Sequence, residues 1–158
     1  MRNLVPIIAL MLISYGTYSQ ASEIDTLKYC VADHSVGVGG YDPVSYFNSV
    51  APSKGKQEIR VKHEGVTYLF LNEDNKRSFV QDPEKYLPQF GGWCSMTLAM
   101  GRATQPVYEN YLIEDNKLYL FERTLSVNGQ TVWKKNPKQN EVRASENYEQ
   151  YKSTGIIQ

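Results

Sequence analysis

Alternating polar and apolar positions mark the first β segment. Glu58-Ile59-Arg60-Val61-Lys62 alternates as a half-buried strand does, and Val66-Thr67-Tyr68-Leu69-Phe70-Leu71 is richer in apolar β-formers, which predicts a more central partner. Glu64-Gly65 between them predicts a hairpin turn. A second hairpin is predicted from Tyr108–Ile113 and Lys117–Phe121, joined by Asp115-Asn116, which tolerates the positive φ values of a tight turn. Helical patterns fill the remainder. Asp42-Pro43 opens a short helix with Asp42 as N-cap and an apolar side of Val44, Tyr46 and Phe47. Asn72–Gln81 reads as a helix with Phe79 and Val80 inward, and Asp82-Pro83 starts another. Thr124–Trp133 reads as a weaker helix despite Gly129. Asn136-Pro137 opens a final helix to about Tyr151, with Ala144, Tyr148 and Tyr151 on one face.

These elements predict an α+β fold: a small antiparallel sheet from the two hairpins, packed with several short helices, among them the helix after Cys94 and the C-terminal one. Phe70, Phe79, Tyr86, Leu98, Leu118, Leu120 and Tyr148 are the expected core. No internal repeat or low-complexity tract is read, and the hairpins match in form but not in sequence. The domain is expected over 40–151, preceded by an irregular arm over 22–39 and followed by a tail over 152–158.

The first 21 residues read as a secretory signal peptide. Arg2 is the basic start, Val5–Ile13 the apolar run, and Ser19-Gln20-Ala21 the small-residue cleavage site. The run is short for a bilayer span, and no transmembrane segment is expected after cleavage. The expectation is an exported protein, periplasmic or extracellular. Lysine plus arginine and aspartate plus glutamate stand at 17 each, so no basic surface points to nucleic acid.

The chemistry centres on one stretch. In Gln89-Phe90-Gly91-Gly92-Trp93-Cys94-Ser95-Met96, two glycines turn the backbone into a helix whose first turn is expected to hold Cys94. Free N–H groups and the positive dipole end at a helix start stabilise a thiolate, as reactive and metal-binding cysteines require. The opposing reading is a buried, inert cysteine. Two glycines beside the sulfur favour partial exposure.

A soft or borderline transition metal ion would suit the Cys94 thiolate with the thioethers of Met96 and Met100; at helical spacing those methionines equally serve as core. Cys30 and His34, four residues apart in the arm, are weaker metal candidates, and His63 reads as a solvated residue at a strand end. A Cys30–Cys94 disulfide fits an oxidising compartment but would consume the thiol. Tyr41, Asp42, Tyr46 and Trp93 are candidate pocket residues near Cys94; capping for Asp42 and packing for the aromatic rings are the alternatives. No Ser-His-Asp order, carboxylate-pair motif or HExxH supports a hydrolase.

Several segments in order carry a resemblance. They are Gly40-Tyr41-Asp42-Pro43-Val44-Ser45-Tyr46-Phe47, Gly65-Val66-Thr67-Tyr68-Leu69-Phe70, Phe79 with Asp82-Pro83-Glu84-Lys85-Tyr86, Pro88-Gln89-Phe90-Gly91-Gly92-Trp93-Cys94, and Lys117-Leu118-Tyr119-Leu120. Together they resemble the stand-alone exported proteins of the YHS domain family over roughly Gly40–Tyr148. The resemblance implies a small α+β module that binds metal or a small ligand. In some relatives selenocysteine stands where Cys94 stands, which implies soft-metal or redox chemistry there. The pattern attached to metal-transport ATPases resembles Tyr-x-Phe-Cys-Ser, whereas Leu71-Asn72 follows Phe70 here, so its second thiolate is missing. A binding module around Cys94 is the leading expectation; a thiol redox protein and an accessory structural domain are the alternatives.

Overall fold

The structure, a computed structural model, describes residues 24–32 and 35–157. The expected leader and His34 lie outside these residues. In chain order the elements are β1 (Val31–Ala32), β2 (Val36–Gly37), α1 (Ser45–Asn48), β3 (Lys56–His63), β4 (Val66–Phe70), α2 (Glu73–Gln81), α3 (Pro83–Tyr86), α4 (Ser95–Ala99), β5 (Val107–Glu114), β6 (Lys117–Phe121), α5 (Gly129–Trp133) and α6 (Pro137–Thr154). The fold is α+β, with both expected hairpins present.

Two sheets form among the described residues, not the single sheet expected from the hairpins. One has the order β1-β2-β4-β3, with β2 parallel to β4; the other is β5-β6. The expected irregular arm supplies β1 and β2, because Val36 pairs with Thr67 of β4. Both hairpin turns have positive φ at their two central residues, 46° and 85° at Glu64-Gly65 and 51° and 59° at Asp115-Asn116. That conformation matches the twist of the flanking strands.

The core falls into two clusters. Phe70 and Phe79 lie within the first, and Phe121, Trp133 and Leu98 within the second. Six of the seven expected core residues are buried; Tyr148 is half-buried, since its hydroxyl reaches across to the Lys28 carbonyl at 2.8 Å. Val80 is exposed instead of inward, because a nine-residue helix resting on Phe79 turns its next position outward. Helix α5 starts only at Gly129, capped by Asn128, so Thr124–Val127 is loop. Helix α6 runs three residues past Tyr151 and ends against Gly155 in the left-handed conformation.

The chain also folds as two similar halves, which corrects the reading of no internal repeat. Val38, Gly39 and Gly40 have φ of 52°, 55° and 78°; Phe90, Gly91 and Gly92 have 56°, 59° and 87°. Each triplet closes with the same bond, Tyr41 N–H to the Val38 carbonyl and Trp93 N–H to the Phe90 carbonyl. The segment before each triplet then runs parallel to a hairpin strand, Val36 with Thr67 and Pro88 with Leu118. Each hairpin has an eight-residue first strand, a two-residue turn, a five-residue second strand and the same register shift. Phe79 packs on Tyr68 and Phe70 as Trp133 packs on Tyr119 and Phe121. The repeat lives in backbone geometry. In sequence it survives as Gly-Gly-aromatic before Asp42 and Cys94, as Tyr-Leu-Phe at Tyr68 and Tyr119, and as the helix starts Asp82-Pro83 and Asn136-Pro137.

Candidate functional site

Asp42 and Cys94 occupy equivalent places in the two halves. The Asp42 N–H donates to the Ser53 carbonyl at 2.8 Å, and the Cys94 N–H to the Thr104 carbonyl at 2.9 Å. Both side chains are fully buried. The Asp42 carboxylate accepts from Val44 N–H (2.9 Å), Leu71 N–H (2.8 Å) and Asn75 Nδ2 (2.6 Å). The Cys94 sulfur accepts from Thr97 N–H (3.5 Å) and Glu122 N–H (3.1 Å). Leu71 and Glu122 each follow the last residue of their hairpin, so one buried acceptor in each half ties the entry of a short helix to the exit of a hairpin.

The halves differ at the third donor. Asn75 lies four residues before Phe79 and closes over Asp42. Four residues before Trp133 stands Gly129, which has no side chain to do the same. A cavity of about 330 Å³ lies there, lined by Cys94, Met96, Thr97, Met100, Arg102, Glu122, Thr124, Val127, Gly129 and Val132. Met96 is buried at its wall; Met100 and Val127 are exposed on its rim. Beside it a hydroxyl chain runs from Thr97 through Thr104 (2.8 Å) to the Glu122 carboxylate (3.0 Å). The Arg102 guanidinium is exposed at the mouth.

Cys94 is the N-cap of α4, one position before the first turn, and is buried where partial exposure was expected. Depth is set by β6 and α5, which are remote in sequence. Tyr41, Asp42 and Tyr46 do not join it. Tyr41 and Tyr46 belong to the first half's cluster, where the Tyr41 hydroxyl donates to Glu109 and the Tyr46 hydroxyl to the Tyr108 carbonyl at 2.9 Å. Asp42 is not the N-cap expected: α1 begins at Ser45 with Val44 in the cap position, and the Asp42 carboxylate accepts from the Val44 N–H in the turn before it. Trp93 packs edge-on against Tyr151 at 5.4 Å and donates from Nε1 to the Leu27 carbonyl at 3.1 Å.

Cys30 and Cys94 are both free thiols. Burial pushes the Cys30 thiol up to about 11. His63 is not the solvated residue expected: its ring stands edge-on to Phe79 at 5.9 Å and its Nε2 is buried without a partner among the described residues. No group of three histidine, cysteine, aspartate or glutamate side chains able to hold a metal occurs among the described residues. At the cavity one thiol faces two thioethers, and two N–H donors already occupy the sulfur. That donor set does not fit a closed metal centre.

Glu122, Gly129 and Val132 are site residues that sequence reasoning missed. The paired Gly-Gly-aromatic and Tyr-Leu-Phe segments were the available signal, because aligning the halves sets Gly129 against Asn75. Comparisons with known protein families, curated proteins and solved structures return no match. No described helix is long and apolar enough to cross a membrane.

Proposed function

We propose that this chain is an exported binding module of the YHS type whose Cys94 cavity takes a small organic ligand. The ligand pairs an N–H donor, directed at the Cys94 sulfur, with an apolar body against Met96, Met100, Val127 and Val132. One observation carries the reading: Asn75 supplies the third donor to Asp42, whereas Gly129 leaves a cavity at the equivalent acceptor, Cys94. An apolar chamber with a few convergent polar groups is the usual form of a small-molecule site.

N-butylacetamide, titrated against the Met96 methyl resonance, tests the proposal. Saturable binding is expected, with loss in Gly129→Asn, which supplies the missing amide, and in Val132→Phe, which fills the chamber from its wall. Absence of saturation, or binding indifferent to both changes, overturns it. A second reading, thiol redox chemistry, is favoured by the two N–H donors at the sulfur, an arrangement suited to negative charge there. Rapid, ligand-blocked reaction of Cys94 with a disulfide probe at neutral pH would support it; inertness would remove it.

A further inference from the structure

A second, smaller cavity of about 170 Å³ lies on the other side of the Gly91-Gly92 turn, lined by Lys28, Tyr29, Glu64, Tyr68, Glu84, Leu87, Pro88, Gly91 and Tyr148. Tyr68 is 2% exposed, and its hydroxyl has no hydrogen-bond partner among the described residues. Tyr29, Glu64, Tyr148 and Glu84 all lie near enough to oppose its ionisation, after burial itself, so the phenol stays protonated. The ring is buried while the hydroxyl opens on the cavity wall, where it meets whatever enters.

The second half shows how the same place is completed internally. There Tyr119 is the counterpart of Tyr68, and its hydroxyl donates to the Glu141 carboxylate at 2.7 Å. Lys117 pairs with that carboxylate at 2.7 Å, and Lys138 lines the same pocket. Matching Phe79 to Trp133 and the hairpins to each other, the first half has Leu87 for Glu141, Val66 for Lys117 and Glu84 for Lys138. The internal anion is gone and both cations around it are gone. Glu84 is exposed at the wall and has no ion-pair partner among the described residues. The ion pair of Lys28 with Glu64, at 2.6 Å, leaves the lining with one unbalanced negative charge, on Glu84.

We propose that this cavity binds a small organic ammonium ion. The ammonium N–H donates to the Tyr68 oxygen, and Glu84 supplies the counter-charge. Phenol rings suit such a guest because their faces attract cations. Here Lys28 and Lys152 already cover the Tyr29 and Tyr148 faces, at 4.9 and 4.8 Å, which leaves the Tyr68 oxygen and Glu84 as the contacts open to the guest. An anion would face Glu84 and Glu64 and is disfavoured by like charge. A small guest in an open, polar pocket binds weakly, in the millimolar range.

The probe is methylammonium chloride, titrated at constant ionic strength while tyrosine ring resonances are followed, with sodium acetate and calcium chloride in parallel. Saturable shifts with methylammonium alone are expected. Tyr68→Phe and Glu84→Gln should each weaken binding by about fivefold or more, the loss of one hydrogen bond or one counter-charge. Glu84 is exposed, so Glu84→Gln keeps the test valid even if the buried Tyr68→Phe chain unfolds. The proposal is overturned by a linear, unsaturable response, by saturation with acetate or calcium instead, or by methylammonium binding that survives the variants unchanged.

Discussion

The Glu122 N–H donates to the Cys94 sulfur at 3.1 Å and joins the end of β6 to the cap of α4. Removing the sulfur strands two donors, the buried Thr97 N–H and the half-buried Glu122 N–H. Cys94→Ala should therefore cost about 2–4 kcal/mol, the sum of a lost cap and an unpaired N–H. Cys94→Ser keeps an acceptor of the best capping type and should cost about 1 kcal/mol less than the alanine variant. Denaturant titration of the two variants checks the order. A serine variant no more stable than the alanine one would mean that the sulfur only fills space.

Phe79 and Val80 are adjacent in sequence and opposite in burial, at 0% and 57% exposure. Phe79→Ala should cost about 3–5 kcal/mol through the cavity left against Tyr68 and Phe70. Val80→Ala should stay within about 0.5 kcal/mol, as exposed substitutions do. Urea midpoints at unchanged slope measure both. Equal effects would place the helix in the wrong rotation.

Strand phase, turn chemistry and the Gly-Gly approach to Cys94 were legible because each is a local property. Glu64-Gly65 and Asp115-Asn116 needed only their own φ preferences, and Leu118 and Leu120 only alternation. What escaped was nonlocal. The burial of Cys94 depends on Glu122 and α5. The separation of the sheets depends on β2 choosing β4. Tyr41, Asp42 and Tyr46, expected beside Cys94, follow the other Gly-Gly turn. Their likeness to the Cys94 region is that of an equivalent place, not of a neighbour.

Gly91 is held by more than its own turn. Its φ is +59°, and a Cβ there would come within 1.8 Å of the Lys28 carbonyl oxygen, the acceptor of the Tyr148 hydroxyl. Gly91→Ala should lower stability by more than about 2 kcal/mol, from left-handed strain and from displacement of the Lys28–Cys30 segment. Amide exchange at Cys30, which donates to the Gly91 carbonyl at 3.0 Å, should accelerate with it. Unchanged protection at that amide would show that the segment docks without this contact.

Alkaline stability should report on Cys30. Its thiol is raised from 9.0 to about 11, with burial the largest cause. In the unfolded chain it ionises near the ordinary value, about 8.5. Below that pH the thiol is neutral in both states and its contribution is fully present. Between about 8.5 and 11 the unfolded chain releases the proton while the folded chain keeps it, so stability falls as pH rises. Above about 11 both states are ionised and the loss levels off. The full loss across that window is about 3 kcal/mol. Tyr108, also raised by burial, to about 12, adds its own loss at higher pH. Cys30→Ala removes the first component alone. Melting temperatures from pH 8 to 11 should therefore fall less steeply in the variant than in the parent chain. Parallel curves would show that Cys30 meets water in the folded protein and titrates as an ordinary thiol.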